Sequence, residues 1–185
     1  ARNWKILPLN ASSDNYFAAL PEIEHNGLHY TTMYAAFPYK PVSSGIKMYY
    51  IKLVGSNLAL MKEVKDGFVP AATPVIVECA SANYSDNRLD AFASGGSEVL
   101  GNCLGGVYFN NNNKKHLNRV AYDPNTMRIL GKLSDGSLGF VTADLDYLPA
   151  NKAYLKVPAG SPAEIRMITE EEYNSFYTDK FFDYE

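Results

Sequence analysis

Turn signals recur often along this chain and helical periodicity is scarce, a combination that restricts it to short strands joined by tight connections. Residues 47–54 and 58–61 are apolar-rich arms on either side of Gly55-Ser56-Asn57. The intervening residues tolerate positive φ, so the segment predicts a β-hairpin. A second hairpin is predicted from residues 117–122 to residues 127–133, turning at Asp123-Pro124-Asn125-Thr126. Proline suits the second position of a type I turn with aspartate before it. Ser134-Asp135-Gly136-Ser137 then turns the chain into Leu138-Gly139-Phe140-Val141-Thr142, extending a meander.

Two segments echo each other. Phe68-Val69-Pro70-Ala71-Ala72-Thr73-Pro74-Val75 and Tyr147-Leu148-Pro149-Ala150-Asn151-Lys152-Ala153-Tyr154-Leu155 each follow a hairpin and set Pro-Ala just ahead of a strand. Proline is tolerated there because the first residue of a strand need not donate to the ladder. The echo predicts two related β halves packed together. The expected fold is therefore all-β, an antiparallel β-sandwich or a partly closed barrel, with one short C-terminal helix. That helix starts at a capping box, Thr169 to Glu172, and its acidic first turn suits the helix dipole. It is expected to end near Tyr177, with the aromatic tail Phe181-Phe182-Asp183-Tyr184 docked on the body or frayed. The expected organisation is a lead-in at 1–26 packing on the domain, a β-rich domain at 27–168, and the helix and tail at 169–185.

Composition agrees with a sheet protein. Of the 185 residues, 46% are hydrophobic and 20% charged, enough to build a core without staples. Aromatic residues reach 13%, with 14 Tyr and 9 Phe against one Trp, and these favour pleated, half-buried surfaces. A net charge of -3 and one short basic run, Lys114-Lys115-His116, argue against nucleic acid as a partner. No stretch approaches the roughly 20 apolar residues of a direct membrane span. Ala1-Arg2-Asn3-Trp4 reads as a trimmed or mature start, and a removed signal peptide would leave the same beginning. The four asparagines at 110–113 read as a polar loop tip. Cys79 and Cys103 are the two cysteines, open to one disulfide or to two packed thiols. Cys79 ends the run Val75-Ile76-Val77-Glu78, which favours packing. Without CxxC spacing or paired histidines, no metal site is expected, and no cofactor.

The order of motifs from Gly27 to Pro158 resembles a module of Bacteroidetes surface proteins. Gly27-Leu28-His29-Tyr30-Thr31-Thr32-Met33-Tyr34, then Phe37-Pro38, then Gly45-Ile46-Lys47-Met48-Tyr49-Tyr50 follow its succession of strands. Its Ile-Pro-Ala-Asn-Thr-Pro-Val strand start is matched by Val69-Pro70-Ala71-Ala72-Thr73-Pro74-Val75, with alanine in place of asparagine. Leu148-Pro149-Ala150-Asn151-Lys152-Ala153-Tyr154-Leu155 nearly reproduces the closing signature. Such modules are similar to C-terminal β domains on leucine-rich-repeat proteins, Ig-like repeats and some secreted hydrolases. The resemblance implies an extracytoplasmic place (periplasm, cell surface or secreted), as part of a larger polypeptide. It implies no catalytic residues, because the pattern consists of strand and turn positions.

The chemistry legible in the residues points the same way. A nucleophile would have to be Cys79 or Cys103 with His25, His29 or His116, and none stands in a recognisable catalytic signature. His29 is expected half-buried in its strand and His116 in a loop. The carboxylate pairs Glu22 and Glu24, Asp144 and Asp146, and Glu170 to Glu172 read as solvated loops and a helix start. They would serve glycoside hydrolysis only if they faced each other at roughly 5 to 9.5 Å. Asp144 and Asp146 lack the further oxygens that Ca²⁺ requires. Gly95-Gly96 and Gly101 with Gly105-Gly106 form no phosphate-binding pattern; Gly105-Gly106 reads as a turn or bulge feeding a strand.

Aromatic residues remain as candidates for binding. Tyr30, Tyr34, Phe37, Tyr49 and Tyr50 are expected mainly in the core. Trp4, near the start of the sequence, and Tyr39, between Pro38 and Pro41 in an expected loop, are the ligand-binding candidates. Exposed rings beside polar groups are what sugar stacking or a protein contact requires. The functional expectation is a non-catalytic accessory module for adhesion, with a glycan or a surface protein as ligand. A structural spacer or capping domain is the first alternative, and a glycoside hydrolase the second.

Overall fold

A computed structural model of the chain describes residues 4–7, 16–107 and 119–175. Its strands are β1 (Trp4–Leu7), β2 (Tyr16–Ala19), β3 (Ile23–His25), β4 (Leu28–Met33), β5 (Tyr39–Pro41), β6 (Ile46–Gly55), β7 (Leu58–Glu63), β8 (Val75–Cys79), β9 (Arg88–Ala91), β10 (Leu104–Gly106), β11 (Arg119–Ala121), β12 (Met127–Lys132), β13 (Leu138–Val141), β14 (Tyr147–Pro149), β15 (Ala153–Lys156) and β16 (Glu164–Thr169). They form a ten-stranded sheet in the order β10-β15-β12-β13-β16-β7-β6-β8-β4-β3, a four-stranded sheet β1-β2-β9-β5, and the pair β11-β14. Every neighbouring pair is antiparallel except β7 with β16. The fold is all-β, with the sheets curled into a half-barrel.

The order inside the large sheet carries the internal echo. In the first half, β8 inserts between β4 and the hairpin β6-β7; in the second, β15 inserts between β10 and the hairpin β12-β13. The two Pro-Ala segments hold equivalent places. Val69 bridges Tyr39 just as Leu148 pairs with Val120. The backbone N–H of Ala72 donates to Ala35 O at 2.8 Å, and that of Asn151 to Val107 O at 2.9 Å. Both residues turn left-handed, with φ of 54° and 68°. Few residues other than glycine adopt that conformation, and asparagine does so more readily than alanine.

Strand alternation builds one core on each face of β8. Val75, Val77 and Cys79 join Met33, Met48 and Tyr50, and the four-stranded sheet covers them with Phe17, Tyr39 and Leu89. Ile76 points the other way, into the curl, among Tyr30, Ile51, Phe140, Leu155 and Ile165. A strand buried on both faces reads as a continuous apolar run, as residues 75–77 do.

The predicted hairpin at 55–57 forms, with Ser56 left-handed at φ 52°. The turn at Asp123 also forms, where the N–H groups of Thr126 and Met127 donate to Asp123 O. Its first arm does not pair as expected. Strand β11 joins β14, because β12 already has β13 on one side and β15 on the other. A hairpin not read from the sequence links β3 to β4 through Asn26-Gly27, at φ 52° and 80°. The glycines at 105 and 106 lie within β10 itself, and the segment they are expected to feed continues outside the described residues.

The capping box forms as read. Glu172 N–H donates to Thr169 Oγ1 at 3.0 Å, Thr169 N–H donates to Glu172 Oε1 at 3.2 Å, and residues 170–175 are helical. The expected helix end near Tyr177, the aromatic tail, the asparagine run and the basic run at Lys114 lie outside the described residues.

Beside the β12-β13 hairpin the buried Arg128 is satisfied by backbone carbonyls among the described residues. Its guanidinium donates to the carbonyls of Pro124, Met127, Ser161 and Pro162, joining the 123–127 turn to the loop before β16.

Candidate functional site

The curl of the large sheet brings its two ends together, and a cleft opens along that seam. The N–H of Ala153, the first residue of β15, donates to Thr32 Oγ1 on β4 at 3.0 Å. Tyr34 N–H donates to Asn151 O at 2.9 Å. The Tyr34 ring packs on Gly106 of β10, where a Cβ would fall 1.9 Å from a ring carbon. Glycine at this position is what lets the ring approach the backbone.

The cleft has a volume of about 250 Å³ and aliphatic walls from Ile129, Leu130, Leu145 and Leu148. Its polar groups are Thr32 and the ion pair of Lys152 with Glu22. The Lys152 side chain is 12% exposed and the Glu22 side chain 43%, so the ammonium lies inside and the carboxylate at the rim. Burial lowers the Lys152 pKa, and the Glu22 carboxylate opposes that shift without cancelling it. A second pair, Lys132 with Glu24 at 3.9 Å, lies on the surface between β12 and β3. Glu24 also accepts the Gly27 N–H at 2.8 Å, which holds its carboxyl below the usual value.

A separate aromatic cluster stands where the 92–103 segment leaves β9. The rings of Phe68 and Phe92 lie 4.9 Å apart, tilted by 50°, and Lys40 Nζ sits 5.7 Å from one centroid and 6.0 Å from the other. Phe92 is among the exposed large apolar residues. The Phe68 ring closely approaches Gly95, leaving no room there for a Cβ. Sequence reasoning missed this pair because its rings come from positions 68 and 92. Only the Pro-Ala strand start ahead of β8 and the end of β9 bring them together.

The sequence candidates fall elsewhere. Tyr39 is not in a loop: it opens β5 and is fully buried, edge-on to Phe17 and Phe37 at 5.8 and 6.3 Å. Its ring cannot meet a ligand there. Its hydroxyl finds no partner among the described residues, and burial raises its pKa. Trp4 belongs to β1, paired with Ala19; its side chain lies outside the described residues. Tyr30, Tyr34 and Tyr50 are buried, and Phe37 and Tyr49 partly so.

Glu22 and Glu24 serve two lysines, while Asp144 and Asp146 are exposed. His29 is half-buried in β4. Cys79 and Cys103 are free thiols belonging to opposite faces of the sheet. Burial, assisted by Glu78, pushes the Cys79 thiol up to about 12. No helix among the described residues is long and apolar enough to cross a membrane.

Fold and surface together define an all-β protein whose ten-stranded sheet curls until its ends meet, with a cleft at the seam and an aromatic pair away from it. Comparison with family models, with curated proteins and with solved structures finds no match to this chain.

Proposed function

We propose that this chain is a non-catalytic accessory module of a larger exported surface protein, acting outside the cytoplasm in adhesion to glycans. The observation that carries this reading is the Phe68–Phe92 pair with Lys40 beside it. Aromatic faces stack on the C–H faces of sugar rings, and an ammonium group donates to hydroxyls or carboxylates around them. The non-catalytic part is supported by the seam cleft, where Glu22, the one lining carboxylate among the described residues, is paired with Lys152. The resemblance to Bacteroidetes surface modules is supported by the left-handed backbone at Ala72 and Asn151. That is the position where the module's strand start carries asparagine, and the conformation gives asparagine a physical reason to be there.

Affinity electrophoresis against host and plant polysaccharides, with Phe92→Ala and Trp4→Ala alongside, tests the proposal. Retardation abolished by Phe92→Ala supports it. Retardation abolished only by Trp4→Ala moves the binding face to β1. No retardation on any polysaccharide removes the glycan, and protein adhesion or a spacer role then takes its place.

A further inference from the structure

We infer that the seam cleft binds a small aliphatic carboxylate, its head group taking the place of Glu22 on Lys152 and its tail lying against Ile129, Leu130, Leu145 and Leu148. The walls exclude a strongly polar occupant, since four aliphatic side chains line them. The floor demands an acceptor. An ammonium has three donors, and Lys152 commits one to Glu22. Thr32 Oγ1 accepts from Ala153, which leaves its own proton to donate. Donors on Lys152 and Thr32 and hydrocarbon from four aliphatic side chains in one cleft describe an acid with an alkyl chain.

The exposures of the two charges decide which one yields. Lys152 is held inside at 12%, whereas Glu22, at 43%, has water to turn into. A ligand carboxylate arriving at Lys152 therefore replaces one anion by another. The buried ammonium is never left uncompensated, an outcome that would be costly. The tail then supplies the net gain by leaving water. Size limits the length: a cleft of about 250 Å³ admits a short chain, and hexanoate serves as the probe of that scale. The cleft lies below the range of about 300–1,000 Å³ usual for larger ligands. The inference stands apart from the glycan reading, because the cleft shares no lining residue with the Phe68–Phe92 pair.

The test is an NMR titration of the methyl groups of the intact chain with sodium hexanoate, hexan-1-ol and sodium acetate. Hexanoate is expected to shift the Ile129, Leu130 and Leu148 methyls with a Kd on the order of 1 mM, as a ligand of this size allows. Hexanol, lacking the charge, and acetate, lacking the tail, are each expected to bind at least tenfold more weakly. Two variants bracket the head-group site with opposite signs. Lys152→Met is expected to weaken hexanoate at least tenfold while leaving hexanol unchanged. Glu22→Gln, which removes the competing carboxylate, is expected to tighten hexanoate severalfold. If Lys152→Met fails to fold, Glu22→Gln alone still decides. Equal binding of hexanol and hexanoate, weaker binding by Glu22→Gln, or no methyl shift at tens of millimolar overturns the inference.

Discussion

The side-chain oxygen of Thr32 accepts the backbone N–H of Ala153 at 3.0 Å, fastening one end of the ten-stranded sheet to the other across 121 positions of sequence. Strand β12 pairs with β15 at Leu155 and Lys156 but does not reach Ala153, so a threonine serves as acceptor where the ladder stops. Buried backbone donors are rarely left unpaired, and here a side chain meets that requirement.

Thr32→Val keeps the shape and deletes the acceptor. It is expected to cost about 1–3 kcal/mol, the penalty for a buried donor without a partner. Thr32→Ser should recover most of it. Urea unfolding of the two variants checks this, and equal stability of valine and serine would show that the seam does not depend on the bond.

Arg128 offers a harsher case. The residue is 2% exposed, and its guanidinium donates to four backbone carbonyls, with no carboxylate partner among the described residues. Arg128→Met fills similar space but leaves those carbonyls to find water, and is expected to cost about 3 kcal/mol. Thermal unfolding measures the loss. Hydrogen exchange should place the first opening at residues 123–127 and 158–163.

The two Pro-Ala segments predict substitutions of opposite sign. Ala72 adopts φ 54°, where an alanine is strained by about 1–2 kcal/mol. Ala72→Asn is expected to stabilise the fold by about 0.5–1 kcal/mol, because asparagine tolerates that region better. Asn151→Ala, at φ 68°, is expected to destabilise it. Chemical denaturation of both variants against the parent tests the pair.

The buried thiol of Cys79 predicts a pH dependence. Its folded pKa lies at about 12, above the value of 9.0 it has when solvated. Between these values the unfolded chain has already lost the proton that the folded chain keeps. The stability contributed by the neutral thiol is therefore complete below pH 9 and lost as pH rises towards 12. Lys152, lowered in the fold, acts in the opposite sense below its ordinary value of 10.5, but it is common to parent and variant. Urea midpoints between pH 8 and 10.5 should fall less steeply for Cys79→Val than for the parent. Identical slopes would mean that the thiol does not titrate differently on unfolding.

Much of the local structure was legible before any fold was drawn. The turns at 55–57, 123–126 and 134–137, the cap from Thr169 to Glu172, and the Pro-Ala strand starts are short-range features. Their residue types dictate φ or supply a nearby hydrogen bond. Asn26-Gly27 carried the same kind of signal for the β3-β4 hairpin, and that signal went unread. The site was much less legible. Tyr39 looked like a loop aromatic between two prolines, yet Phe17 of β2 closes over it together with the neighbouring Phe37. The pairing of Lys152 with Glu22 spans 130 positions, and neither residue announced it.

The sequence by itself determined that this protein is all-β and where several of its turns fall. Those properties follow from side-chain alternation and from backbone preferences that act over a few residues. Only the tertiary structure decided that β11 pairs with β14, that β7 runs parallel to β16, and that the sheet curls until Thr32 meets Ala153. The physical reason is that backbone donors and acceptors are the same on every strand. Which edges meet is settled by the packing of both faces at once, and the cleft exists only where those edges come together.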